Sequence, residues 1–151
     1  MCHARFAVLI LALLATGCTG AGRFAFEVTV TNKLDVPITI GAIKDGPPYE
    51  PNWGTVEEWA YSRPLDALPP WGIVIPPGRT ADSGKLQGTF EQGSSGYLRV
   101  YRGEHPNAEL MAISEGSHNR LTVLLFPGPN HFEIQYEGVK MVAKRLNPAP
   151  R

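Results

Sequence analysis

From residue 24 onward, apolar and polar residues alternate with a period of two. In the segment 24–31 (FAFEVTVT), Phe24, Phe26, Val28 and Val30 fall on one face and Ala25, Glu27, Thr29 and Thr31 on the other. That pattern predicts a half-buried strand. After the turn Asn32-Lys33-Leu34-Asp35, the segment 36–43 returns with Val36, Ile38, Ile40 and Ala42 alternating. Pro37 has no amide proton, which confines it to an edge or to the first residues of this strand. Short segments follow at 73–75, 85–90, 97–102, 108–113, 121–126, 132–136 and 139–145. They are separated by turn signals such as Pro76-Pro77-Gly78, Arg102-Gly103, Glu115-Gly116-Ser117 and Pro127-Gly128-Pro129-Asn130. About nine short strands at roughly ten-residue spacing predict an all-β fold, a single antiparallel β-sandwich of immunoglobulin-like type over residues 24–146. A partly closed barrel is the alternative. The segment 121–126 is apolar on both faces apart from Thr122 and reads as a central strand.

The stretch 44–71 breaks the pattern. It carries six prolines and little alternation, and structureless loops longer than about 12–15 residues are often functional. Within it Thr55-Val56-Glu57-Glu58 has the capping-box spacing, and Arg63-Pro64 forms a stop, so one or two helical turns are expected between them. All three tryptophans, Trp53, Trp59 and Trp71, lie here with Tyr49 and Tyr61. Rigid aromatic surfaces suit peptide chains, sugar rings or partner proteins, and Tyr49, Trp53, Trp59 and Tyr61 are the candidate binding residues. Trp71 adjoins a strand and is expected in the core, Trp59 packs the short helix down, and Trp53 is expected to be an exposed contact. The alternative is that the loop folds over an open end of the sandwich and its rings complete the core.

Composition narrows the function classes. Fourteen basic residues balance fourteen acidic ones in 151 residues. That balance argues against a nucleic-acid binder, which usually shows a basic stripe to neutralise phosphates. Glycine and proline, 16 and 14 residues, stay below the share that marks a structureless chain.

The N-terminus carries an address. Arg5 is followed by ten apolar residues at 6–15. A helix of that length reaches only about 15 Å, half of a bilayer's hydrocarbon thickness. A positive start and a short apolar run fit a secretory signal. The run ends in Leu14-Ala15-Thr16-Gly17-Cys18, which resembles the lipobox of bacterial lipoproteins. The resemblance implies a signal peptide at 1–17 that is removed, and a lipid anchor at Cys18, where the sulfur receives diacylglyceryl and the amine a further acyl chain such as palmitate. It implies membrane attachment in the cell envelope, with the outer membrane favoured because Thr19 rather than Asp follows the cysteine. Residues 18–23 would be a short lipidated tether and 147–151 a C-terminal tail. Cys2 and Cys18 are the only cysteines, so the mature domain would have neither disulfide nor thiol chemistry.

Enzyme signatures are absent from the sequence. It has no G-x-S-x-G, P-loop, G-x-G-x-x-G or H-E-x-x-H, and Gly93-Ser94-Ser95-Gly96 has the spacing of a flexible hairpin. His105, His118 and His131 recur every thirteen residues in turn-like contexts. In a meander, successive turns lie at opposite ends, so His105 and His131 would share one end and His118 the other. No metal and no cofactor are expected. Glu57 and Glu58 point different ways on a helix, and Glu58 is better used as a cap. Lys140, Lys144 and Arg145 read as the solvated side of a last strand. The expected function is therefore a non-enzymatic, membrane-tethered binding or structural module, with an envelope protein or glycan as partner and no nucleic acid. The alternative is an envelope hydrolase or metal-dependent enzyme whose site is built from inter-strand turns.

Overall fold

The computed structural model describes residues 21–147. Cys18, the segment 1–17 and residues 148–151 lie outside the described residues. Two four-stranded sheets pack face to face, one ordered β4-β1-β7-β8 and the other β3-β2-β5-β6. The strands are β1 (Gly22–Asn32), β2 (Ile38–Lys44), β3 (Ile73–Ile75), β4 (Thr80–Phe90), β5 (Gly96–Arg102), β6 (Arg120–Leu124), β7 (Gly128–Glu137) and β8 (Lys140–Arg145). The all-β sandwich expected from the two-residue period is the observed architecture. Pairings are antiparallel except one: β1 and β7 run parallel, with Phe26 opposite Gly128 and Asn32 opposite Ile134.

The core follows the alternation. Phe26, Val28 and Val30 of β1 meet Ile38 and Ile40 of β2, Leu98 and Val100 of β5, and Phe132 and Ile134 of β7. The opposite face of β2 and β5 is covered as well. Ile43 and Tyr101 lie under Val56, Trp71 and Leu110 in a second apolar cluster. Those covering residues come from helix α1 (Val56–Ser62), helix α2 (Asn107–Ala112) and the segment ahead of β3. The central strands of the second sheet, β2 and β5, are thus buried on both faces.

Three local expectations are corrected. The segment 108–113, expected as a strand, is mostly helix α2. Its Ala, Glu, Leu and Met are helix formers, Pro106 stands at the N-cap, and Leu110 with Ile113 supplies the i, i+3 spacing that packs onto the second cluster. This leaves eight strands. The segment 121–126, expected as central, forms edge strand β6, bonded only to β5. Its apolarity on both faces has another cause, because the chain leaves β6 at Leu124 to close the open side of the sandwich. Leu125 is buried there, and Arg145 stacks 4.8 Å from the centre of the Phe126 ring and donates to the Leu124 carbonyl. Strand β4 begins at Thr80 rather than 85, on an exposed edge with a bulge opposite β1. At the bulge the Ser83 hydroxyl accepts from the Val28 amide at 3.2 Å.

Candidate functional site

The segment after β2 builds a groove at one end of the sandwich. The inward face of β2 runs Ile38, Ile40, Ala42 and then Lys44, whose ammonium is buried against the Phe90 ring at 5.3 Å. Such a cation requires a partner. Lys44 Nζ donates to Glu50 Oε2 at 2.7 Å and to the Thr89 carbonyl at 2.8 Å, and the Thr89 amide donates to the same Glu50 oxygen at 3.0 Å. Loop 45–50 is therefore pinned to the end of β4. Burial acts to raise the Glu50 carboxyl, but the Lys44 and Thr89 hydrogen bonds outweigh it and hold it below its ordinary value.

From Glu50 the chain makes a 3-10 turn over Pro51–Trp53 that drives Trp53 between the two sheets. Trp53, expected to be exposed, is 1% exposed. Its ring lies edge-on to Phe26 at 5.0 Å and to Phe90 at 5.2 Å, and its Nε1 donates to the Gln87 carbonyl at 2.9 Å. Gly88 and Gly96 make the space: a Cβ on Gly88 would stand 2.6 Å from Trp53 Nε1, and one on Gly96 3.0 Å from the ring. The expectation failed because distance from a strand in sequence says little about burial when the loop doubles back under its own sheet.

The capping box forms as expected. Thr55 Oγ1 accepts from the Glu58 amide at 3.1 Å, and Glu58 Oε2 accepts from the Thr55 amide at 2.7 Å. Helix α1 then carries Trp59, half-buried with Nε1 donating to the Pro51 carbonyl at 3.3 Å, and Tyr61, 92% exposed. Across from it stands Tyr49, 73% exposed. Trp71 is buried as expected, edge-on to Tyr101 at 5.6 Å and donating to the Gly54 carbonyl at 2.9 Å. The result is a groove of about 780 Å³ whose floor is Trp53 and whose rim is Tyr49, Trp59 and Tyr61. All four aromatic residues singled out in the sequence meet in it. Lys44, Glu50, Arg63, Leu68 and Pro69 also line it. By sequence Lys44 falls in the loop 44–71; the signal that finds it is its place as the next inward position of the β2 alternation.

Three of the groove's charged side chains are already engaged, Lys44 with Glu50 and Glu58 with the helix cap, while Arg63 is exposed on its wall. A second polar cluster lies on the covered face of β5 and β6. Glu57 faces Arg99 at 3.4 Å and Arg120 at 3.9 Å. Burial pushes the Tyr101 phenol up, and the nearby Arg99 opposes this. Arg99 Nε, Arg120 Nε and the Tyr101 hydroxyl, all buried, have no hydrogen-bond partner among the described residues. These atoms are packed in by protein and face no cavity wall of the groove.

The histidines are arranged otherwise than the sequence led us to expect. Because 108–113 is a helix, the chain does not cross the sandwich between His105 and His118. Both flank α2 near Arg102, whose carbonyl His105 Nε2 contacts at 2.8 Å and whose amide donates to the Asn119 carbonyl at 2.9 Å. His131 lies within β7 opposite Thr29. His105 Nδ1 also meets Glu109 at 2.9 Å. Among the described residues no three His, Cys, Asp or Glu side chains are grouped to hold a metal ion. No described helix is long and apolar enough to cross a membrane.

No protein-family model matches the chain, and no curated protein does. Among solved structures, the T6SS lipoprotein TssJ1 from Pseudomonas aeruginosa is similar at 11% identity with a TM-score of 0.37, over 87% of this chain and 100% of that one. A superposition that loose carries no argument about function.

Proposed function

We propose that the protein is a lipid-tethered module of the bacterial envelope that binds a partner without catalysing a reaction, and that the aromatic groove is its contact surface. The carrying observation is the pairing of a fixed floor with an exposed rim. Trp53 is locked by its indole hydrogen bond and two ring contacts, while Tyr49 and Tyr61 stand in solvent on either side of it. A pre-ordered apolar groove keeps the entropy cost of binding low, and exposed tyrosines contribute large contact area with few rotatable bonds.

The ligand best suited to this lining is an extended peptide segment of an envelope protein. Sugar hydroxyls demand several polar partners at the groove wall, and here Glu50, Lys44 and Glu58 are committed to one another or to the backbone, which leaves Arg63 as the remaining charged side chain. Acid–base hydrolysis likewise needs titratable groups free to converge on one point, which the groove does not offer. The lipobox resemblance at residues 14–18 supports the tether, with Cys18 as the acylated residue and the outer membrane as the favoured location.

Photo-crosslinking in cells tests the reading. A photoreactive residue at Tyr61 or Tyr49 should trap a discrete envelope protein, while one at Val139, 82% exposed at the far end, should not. Equal capture from all three positions, or trapping of glycan alone, would overturn the peptide-binding reading. Intact-mass analysis of the membrane fraction should show Cys18 as the first residue with acyl chains attached.

A further inference from the structure

Strand β1 starts at one end of the sandwich and fixes where the tether leaves. Gly22 pairs with Phe90, the last residue of β4. Lys44, the last residue of β2, pairs with Gly96, the first of β5, and Leu124, the last of β6, pairs with Tyr97. The chain start, the loop 45–50, the hairpin 91–95 and the exit from β6 therefore share this end. The turns 33–37, 76–79 and 138–139 lie at the other.

On the lipid-tether reading of Cys18, on which this inference rests, only Thr19, Gly20 and Ala21 separate the acylated residue from β1. Four residue steps span at most about 14 Å when fully extended. The domain cannot swing this end far from the bilayer. Large apolar side chains are exposed on it: Phe24 at 42% and Leu124 at 40%, with Tyr49 where it borders the groove. Phe24 belongs by alternation to the core face of β1, yet it extends past the point where β7 begins opposite Phe26. Phe90 packs edge-on to it at 6.1 Å and the Phe24 ring lies over Gly22, which leaves the rest of that ring exposed among the described residues. Arg23, exposed beside it, holds Gln87 at 2.7 Å and places a cation at the same level. Glu91 on the hairpin is also exposed here, so the surface is apolar with mixed charge rather than basic.

We infer that this end of the sandwich is a membrane-contact face, with Phe24 and Leu124 resting in the headgroup layer of the bilayer that holds the lipid. Aromatic and aliphatic side chains favour that layer in proportion to the apolar area they bury. The tether supplies a high effective concentration, so a contact too weak to bind a free domain suffices for a tethered one. The groove, whose rim residue Tyr49 adjoins this face, then opens beside the membrane and receives a segment lying close to the bilayer.

Fluorescence quenching of the lipidated full-length protein tests the face. Phe24→Trp and Leu124→Trp are compared with Val139→Trp in vesicles of phosphatidylethanolamine and phosphatidylglycerol, with and without lipids brominated near the headgroup. Emission of the unsubstituted protein, whose own tryptophans are constant, is subtracted. The added emission at positions 24 and 124 should be blue-shifted and quenched, and quenching should persist in high salt because the contact is apolar. Position 139 should behave as in water. Equal quenching at all three positions, or none above the unsubstituted protein while mass analysis of the same sample shows acylated Cys18, overturns the membrane face and leaves the groove reading intact. An unacylated Cys18 overturns the tether and this inference together.

Discussion

Replacing Trp53 by Ala should be among the most damaging single changes in the domain. Trp→Ala in a core commonly costs about 3–5 kcal/mol, and the figure depends on how far the surroundings collapse. Here collapse is blocked. The residues beneath the ring are Gly88 and Gly96, which have no side chains to move in, and the other neighbours, Phe26 and Phe90, are rigid rings held by their own strands. The lost indole hydrogen bond adds about 0.5–1 kcal/mol, at the low end because the Gln87 carbonyl sits on an edge strand that water can reach. A total near 4–5 kcal/mol would consume much of the roughly 5–15 kcal/mol that a domain holds. With a urea slope of about 1.5 kcal/mol/M for a domain of this size, the midpoint should fall by about 3 M. The structure also predicts a coupling between Trp53 and Gly88. Gly88→Ala alone should destabilise, since its Cβ would meet Trp53 Nε1 at 2.6 Å and the Phe90 ring at 2.7 Å. In the Trp53→Ala background the indole contacts are gone and only the Phe90 contact remains, so the same methyl should cost less, a coupling that a double-mutant cycle reads directly. A loss under about 1 kcal/mol for Trp53→Ala, or a Gly88→Ala cost that is equal in both backgrounds, would refute the packing argument.

Thr55→Ala removes a satisfied capping box and should cost about 1 kcal/mol in thermal or urea melts, with Thr55→Ser restoring most of it. Glu50→Ala leaves the Lys44 ammonium buried with only the Thr89 carbonyl, and should destabilise by about 3 kcal/mol. Because the Glu50 carboxyl is held low in the folded state, its contribution is present above the ordinary value of 4.5 and is lost as pH falls through the folded value, so Glu50→Gln should flatten the acid limb of a stability–pH curve. The His105 imidazole is raised above its ordinary value of 6.5, chiefly by Glu109, against the opposing effect of burial and with help from the Arg102 carbonyl. Its contribution is therefore full below 6.5 and disappears as pH rises through the folded value. NMR titration should place His105 above 6.5, with Glu109→Gln bringing it down, and an unmoved midpoint would contradict the contact. Tyr61→Ala should stay within about 0.5 kcal/mol of the parent in stability while reducing crosslinking at the groove.

The fold was legible wherever one face of a strand is buried and the other is not. Phe26, Val28 and Val30, and Ile38 and Ile40, alternate in sequence and face the core in space. The pattern failed where that condition fails. The polar start of β4 runs along an exposed edge, and Asn130 is buried at the head of β7. Asn130 and its neighbours read as a turn, yet its amide nitrogen donates to the Phe126 and Gly128 carbonyls and its oxygen accepts from the Phe126 amide. Asn32 does similar work at the end of β1, donating to the carbonyls of Val36 and Ile75. A polar residue that satisfies the backbone of a crossing segment is a product of tertiary contact, and no local period announces it. Six residues were too few to tell strand from helix at 108–113, where length and composition had to decide and composition alone favoured the helix.

The candidate site was legible as a cluster but not as a geometry. Aromatic residues gathered within one proline-rich stretch identified which side chains would meet, and the capping box identified the helix that carries two of them. Which ring is floor and which is rim followed from something the sequence states less openly, the placement of Gly88 and Gly96 on β4 and β5. Glycine inside a strand marks a close approach by another group, and two such glycines opposite a loop with an unplaced tryptophan amount to a socket. Gly41 does the same for Trp71, where a Cβ would stand 2.4 Å from the ring. Each buried tryptophan of this domain thus has its matching strand glycine, whereas Tyr49 and Tyr61 have none. That asymmetry assigns the two tryptophans to structure and the two tyrosines to contact. It directs mutagenesis of function to Tyr49 and Tyr61, where loss of binding can be separated from loss of fold.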